Sequence, residues 1–125
     1  MIKAIADSSA VLALLLSEPC AGVVRSHMPD VRLSAANLAE VITQLTERGM
    51  PALEALAAIE PIVQVAPFRT EQAVACGARR PATRSADLSL GDRACVALAH
   101  ERNLPSLTTD TAWSQAVPET AILIR

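Results

Sequence analysis

The sequence has few aromatic side chains and no long hydrophobic run, although 51% of its 125 residues are hydrophobic. Phe68 and Trp113 are the only aromatic residues. This scarcity argues against an RNA-binding surface of stacked aromatic rings, as in RRM and OB domains. The longest aliphatic run, Ala10–Leu16, is far shorter than the ~20 residues of a membrane-spanning helix. We therefore expect no membrane association.

Soft metal ligands are also scarce. The three cysteines, Cys20, Cys76 and Cys95, lack C-x-x-C spacing, and only His27 and His100 could join them. This pattern argues against a zinc site and a disulfide framework, and it is typical of a reducing compartment. We expect the cysteines to be small core residues.

The N-terminus superficially resembles a signal peptide, because Lys3 precedes an apolar stretch. Asp7 interrupts that stretch, and the segment Ser17–Pro19 that follows it has no small-x-small cleavage pattern. We therefore expect a mature N-terminus and a cytoplasmic protein.

Lysine is almost absent, since Lys3 is the only lysine among 11 basic residues, and the formal net charge is -2. Bulk positive charge therefore cannot drive nucleic-acid binding. Arginine suits bidentate phosphate contacts, although a solvated arginine-rich face explains such a cluster about as well. The candidate RNA-binding residues are Arg79, Arg80, Arg84 and Arg93.

Short apolar segments alternate with amphipathic segments along the chain. The predicted strands are 2–6, 31–33, 62–65, 105–109 and 121–124. The predicted helices are 10–16, 20–28, 35–48, 51–59, 70–80, 91–102 and 111–116, with a polar loop at 81–89. This alternation predicts one α/β domain with a parallel sheet between helices.

Acidic residues follow two of the predicted strands. Asp7 follows the first strand and Asp110 the fourth, and ligands of open parallel sheets bind outside the carboxyl ends of the strands. Either residue alone is also a favoured helix N-cap. Asp92 forms a capping-box pattern with Ser89, yet it leads an apolar helical stripe. An inward carboxylate needs a charged or hydrogen-bonding partner, such as a metal ion.

Glu40 lies opposite the apolar stripe of its helix, which favours a solvated side chain. A chemical argument groups it with the three aspartates. A cluster of carboxylates without histidine or cysteine suits Mg²⁺ or Mn²⁺, which can stabilise a phosphodiester and activate water.

Four segments closely resemble the PIN-domain ribonucleases of the VapC toxin family, and together they span nearly the whole chain. These segments are Ile5–Ala10 (IADSSA), Asn37–Val41 (NLAEV), Leu88–Cys95 (LSLGDRAC) and Thr108–Trp113 (TTDTAW). The last two, at this separation, are the most specific.

The resemblance implies a three-layer α/β/α PIN-like sandwich with a central, mainly parallel sheet, formed by one nuclease domain over residues 1–125. It implies a catalytic Mg²⁺ or Mn²⁺ site formed by Asp7, Glu40, Asp92 and Asp110. Ser9 and Thr109 match polar positions around the site, and Asn37 matches a neighbour of the glutamate.

The family's activity is metal-dependent endonucleolytic hydrolysis of RNA, by the toxin of a toxin–antitoxin pair. The resemblance therefore implies an RNA substrate, a VapB-type antitoxin that neutralises the enzyme, and a homodimer. We expect no DNA binding by this chain alone.

Two alternatives within the same fold remain open. One is a catalytically silent PIN scaffold that binds antitoxin or RNA, although all four acids are present. The other is a housekeeping PIN nuclease that processes RNA. Two other α/β classes fail: a response-regulator receiver needs a late lysine, and a haloacid-dehalogenase-type phosphatase needs D-x-D where this chain has Asp7–Ser9.

Overall fold

The computed structural model describes residues 2–28, 30–83, 88–110 and 121–123. The strands are β1 (Ala4–Ala6), β2 (Val31–Ser34), β3 (Gln64–Ala66), β4 (Ser106–Thr108) and β5 (Ala121–Leu123). The helices are α1 (Ser8–Leu15), α2 (Ala21–His27), α3 (Ala35–Glu47), α4 (Ala52–Ile59), α5 (Thr70–Ala78), α6 (Arg80–Thr83) and α7 (Leu90–Arg102). The strands form one sheet in the order β3-β2-β1-β4-β5, and every neighbouring pair is parallel.

Side-chain alternation along β1 divides the core into two layers. Ala4 and Ala6 pack with residues of α1–α4 on one face of the sheet, whereas Ile5 packs with residues of α7 on the other. This division follows from the two-residue period of a strand, which sends successive side chains to opposite faces. The sheet therefore lies between two helical layers, which confirms the predicted three-layer α/β/α sandwich.

Serine caps fix the starts of the two longest helices. The Ser34 hydroxyl accepts a hydrogen bond from the Ala36 amide (3.2 Å), and the Ser89 hydroxyl accepts one from the Asp92 amide (3.1 Å). Helix α3 leaves the carboxyl end of β2, and α7 leads back to the start of β4. The first turns of both helices consequently lie at the carboxyl edge of the sheet.

The sequence-based prediction of a polar loop at 81–89 is wrong at its start. Helix α6, Arg80–Thr83, occupies that position, where Pro81 lies in the first turn and its lack of an amide hydrogen is tolerated. The predicted helix 111–116 and Trp113 lie outside the described residues.

Cys76 and Cys95 are buried, as predicted, whereas Cys20 is only partly buried against the core. Within the residues described, the structure contains no helix with the length and apolar character needed to cross a bilayer.

Candidate active site

The sheet changes its winding direction beside β1. From β1 the chain adds β2 and then β3 on one side, and it then returns to add β4 on the other side. Ligands bind at such switch points, outside the carboxyl ends of the strands. Asp7 directly follows β1, and Asp110 lies two residues after the end of β4. The topology therefore brings both acids to this edge.

Asp7 is buried, with 1% of its surface exposed. Its Oδ1 accepts hydrogen bonds from the Ser9 hydroxyl (2.7 Å) and the Ala10 amide (2.9 Å), and its Oδ2 accepts one from the Thr108 hydroxyl (2.6 Å). The bond from Ala10 makes Asp7 the N-cap of α1. Asp7 is thus both a helix cap and a buried acid at the switch point.

Two hydroxyl groups join Asp7 to the segment after β4. Thr108 Oγ1 accepts a hydrogen bond from the Asp110 amide (3.0 Å), and Ser9 Oγ accepts one from the Thr109 amide (3.0 Å). Sequence reasoning chose Thr109 as the supporting threonine and missed Thr108, whose side chain contacts Asp7. The available signal was its position at the end of β4, the strand beside β1.

Burial raises the pKa of Asp7 from 3.8 to about 6. This net value also includes hydrogen bonds from Thr108, Ser9 and Ala10, which lower the pKa, and a smaller effect of the negative charge of Asp92, which raises it.

This raised pKa predicts a specific pH dependence of stability. Because the folded state holds the Asp7 proton more tightly, the stability that Asp7 contributes is lost as the pH rises from about 4 through 6. The rise from 3.8 to about 6 corresponds to roughly 3 kcal/mol. In EDTA, the unfolding free energy of Asp7→Asn relative to wild type should increase by about that amount between pH 4 and pH 7.5. Urea titrations followed by circular dichroism measure it, and parallel pH curves for the two proteins would contradict it.

Glu40 is half-buried, contrary to the solvated position that helical periodicity favours. Its Oε1 accepts hydrogen bonds from the Ser8 hydroxyl (2.6 Å) and the Asn37 amide group (3.3 Å), and its Oε2 accepts one from the Ser89 hydroxyl (3.3 Å). Ser8 and Ser89 lie at the starts of α1 and α7. Periodicity missed this environment because it is formed by neighbouring helix starts and not by the apolar core.

Gly91 permits the close packing of α3 against α7. A Cβ atom at position 91 would overlap the carboxylate of Glu40. The buried side chain of Asn37 crosses the same contact, where its Nδ2 donates to the Gly91 carbonyl (2.9 Å) and to Ser8 Oγ (3.1 Å). Asn37 Oδ1 is buried and accepts no hydrogen bond from the described residues.

Asp92 lies in the first turn of α7 and is half-buried. Its Oδ2 accepts a hydrogen bond from the Ser89 amide (2.9 Å), which completes the capping box. Below it, burial raises the pKa of the Cys95 thiol well above its usual range, and the charges of Asp7, Asp92 and Glu40 raise it further. The charges of three of the four predicted acids therefore act on this buried thiol.

The donor chemistry of this edge fits a hard divalent cation, because its acidic side chains offer carboxylate oxygens. Among the residues that the structure describes, however, no three acids stand close enough together to form a ready-made ion site. The carboxylates of Asp7, Glu40 and Asp92 accept hydrogen bonds from hydroxyl and amide groups.

The candidate RNA-binding arginines have structural contacts. A guanidinium nitrogen of Arg93 donates to the Cys76 carbonyl (3.2 Å), and one of Arg80 donates to the Leu88 carbonyl (3.4 Å). Arg79 is the C-cap of α5, and Arg84 lies outside the described residues. A role for these residues in RNA binding stays a prediction.

The chain is similar to a known family in sequence and to known proteins in structure. The family model described as PIN domain matches residues 4–117. A toxin–antitoxin complex from Klebsiella pneumoniae is similar in structure, with a TM-score of 0.75, 17% identity, and 96% of both chains covered. The sarcin–ricin loop cleaving toxin VapC20 of Mycobacterium tuberculosis has a TM-score of 0.73 and 17% identity, over 91% of this chain and 95% of that one.

VapBC-1 from nontypeable Haemophilus influenzae is also similar, with a TM-score of 0.70, 18% identity, and 98% of both chains covered. A search of curated proteins found no significant match. At these identities the structural similarity establishes the fold.

Proposed function

Because the chain belongs to the PIN domain family, we propose that it is a divalent-metal-dependent endoribonuclease and the toxin of a VapBC-type toxin–antitoxin pair. The observation that carries the proposal is the buried carboxylate of Asp7 at the switch point of the sheet, the edge at which Asp110 and the first turn of α7 also lie. A buried carboxylate with a raised pKa reduces stability at neutral pH, and such groups occur mainly at catalytic and binding sites.

Asp7, Glu40, Asp92 and Asp110 are the residues that would hold Mg²⁺ or Mn²⁺. When bound, the cation would lower the pKa of a water molecule and neutralise charge on the phosphodiester. The hydroxyls of Ser9 and Thr108 fix both oxygens of Asp7, and the Ser8 hydroxyl orients Glu40. Hydrogen-bonding partners of this kind limit the orientations of metal-binding carboxylates.

The proposed partners follow from the family and from the titles of similar structures. Those structures include a toxin–antitoxin complex and VapBC-1. We propose that a VapB-type antitoxin covers the acidic groove and places a basic side chain among the carboxylates, and that the enzyme is a homodimer. Arg79, Arg80, Arg84 and Arg93 are the proposed contacts for RNA phosphates.

Removal of divalent metal tests the mechanism. We expect purified protein to cut RNA at discrete positions in Mg²⁺ or Mn²⁺, and to lose at least about 10²-fold in rate in EDTA, because four unscreened carboxylates repel a phosphate. Excess Mg²⁺ should restore the rate. Cleavage products are mapped by sequencing their ends.

Two outcomes would contradict this proposal in different ways. Cleavage by homogeneous protein that is unaffected by EDTA would exclude the metal mechanism. Folded protein that cuts no RNA, and causes no growth arrest when its expression is induced, would favour the catalytically silent scaffold. Discrete cleavage without growth arrest would instead favour a housekeeping nuclease.

A further inference from the structure

A cleft of about 350 Å³ lies between α3 and the start of α7, directly beside the candidate active site. Its lining residues include Glu40, Gly91, Leu90 and Gln44. Its volume is within the range of roughly 300–1,000 Å³ that is typical of small-ligand sites. The cleft shares Glu40 with the proposed catalytic site, so it can accept a group attached to the substrate.

The exposed side chain of Leu90 is the unusual feature of this cleft. Leu90 is 60% exposed although it is one of the larger hydrophobic residues of the chain. The two alanines in the lining, Ala36 and Ala39, add further apolar surface. A mostly apolar lining with a few polar groups is typical of ligand-binding clefts, so this apolar wall can contact a ligand.

The polar side chains of the cleft limit the identity of this ligand. The Thr43 hydroxyl already donates to the Ala39 carbonyl (2.8 Å). The Gln44 side chain is exposed, and its amide can both donate and accept hydrogen bonds. The carboxylate of Glu40 disfavours an anion in the same space. A neutral, flat group with apolar faces and a polar edge can contact the apolar wall, form hydrogen bonds with the Gln44 amide and avoid repulsion by the Glu40 carboxylate.

We propose that this cleft binds a nucleobase adjacent to the scissile phosphate, with Leu90 against the face of the base and Gln44 at its edge. The proposal rests on the proposed ribonuclease function and adds a determinant of sequence preference to it. An aliphatic surface at this site would perform the task that aromatic residues perform in other RNA-binding proteins.

Two variants and one control test the subsite. Leu90→Ala removes the apolar wall, and Gln44→Leu removes the hydrogen-bonding edge at similar size. Both positions are exposed, so the fold should tolerate the changes. Leu53→Ala is the matched control, because Leu53 is 81% exposed on α4 and does not line the cleft.

The first measurement is the binding of fluorescent A₆, C₆, G₆ and U₆ ribonucleotides to Asp7→Asn protein that carries each of these changes, in Mg²⁺. Leu90→Ala should weaken the tightest complex about fivefold. Gln44→Leu should reduce the ratio between the tightest and weakest complexes about tenfold. Leu53→Ala should change neither quantity. Unchanged affinities in both variants, or no binding of any hexamer, would overturn the subsite.

The second measurement is cleavage of a randomised RNA library by the otherwise wild-type enzymes, with sequencing of the product ends. Gln44→Leu should lose a base preference at one position next to the cut, and Leu53→Ala should keep it. If all variants cut with the same preference, the subsite is wrong while the nuclease proposal stands. If no protein cuts but hexamer binding changes as expected, the nuclease proposal is wrong while the subsite stands.

Discussion

Asp7→Asn is expected to reduce the rate of RNA cleavage by at least about 10³-fold and to leave the fold intact. The carboxylate would lose its charge, and with it its affinity for a divalent cation, while its shape would remain. The amide oxygen can still accept hydrogen bonds from Ser9 and Ala10. The amide nitrogen can donate to the Thr108 hydroxyl, which can rotate to accept it.

Initial rates in saturating Mg²⁺ and growth arrest on induced expression measure this effect. Asp30→Asn is the matched control, because Asp30 precedes β2 at the opposite edge of the sheet and pairs with Lys3 at 3.9 Å. Its rate should stay within about twofold of wild type, since an exposed ion pair contributes little. A folded Asp7→Asn protein that cuts RNA within tenfold of the wild-type rate would exclude Asp7 from the catalytic site.

The fold could be predicted from the sequence because its signals are local. Apolar runs, helix-capping residues such as Asp7 and Ser89, and the alternation of strands and helices each depend on a few consecutive residues. Parallel topology then determines which ends of the strands meet. The placement of Asp7 and Asp110 at one edge follows from that order alone.

The supporting contacts of the site could not be predicted in the same way, because they join distant parts of the chain. Ser8 reaches Glu40 across 32 residues, and Thr108 reaches Asp7 across 101. Periodicity even favoured a solvated Glu40, and only its chemistry and the family resemblance grouped it with the aspartates. A pattern within one helix contains no information about a neighbouring helix start, so the packing of α3 on α7 has to be observed.

Gly91→Ala is expected to reduce cleavage by about 10- to 100-fold through displacement of Glu40, the scale seen when a supporting group of a metal site changes. The new Cβ atom would overlap the Glu40 carboxylate, which is the flexible end of its side chain and can move away. Glu40 would then lose the hydrogen bonds from Ser8 and Ser89. The protein should remain folded, because alanine favours a helix over glycine by roughly 1 kcal/mol.

A double-mutant cycle distinguishes this mechanism from a general disturbance of α7. In a Glu40→Ala background there is no carboxylate to displace, so Gly91→Ala should cost no further activity and should stabilise the protein by up to about 1 kcal/mol. Gly77→Ala is the matched control, because a Cβ at that helical glycine meets nothing within 4 Å, and activity should not change. Equal losses from Gly91→Ala in both backgrounds would show that position 91 acts independently of Glu40. A loss confined to the wild-type background would show that the absence of a Cβ atom at position 91 allows the Glu40 carboxylate to lie at the acidic site.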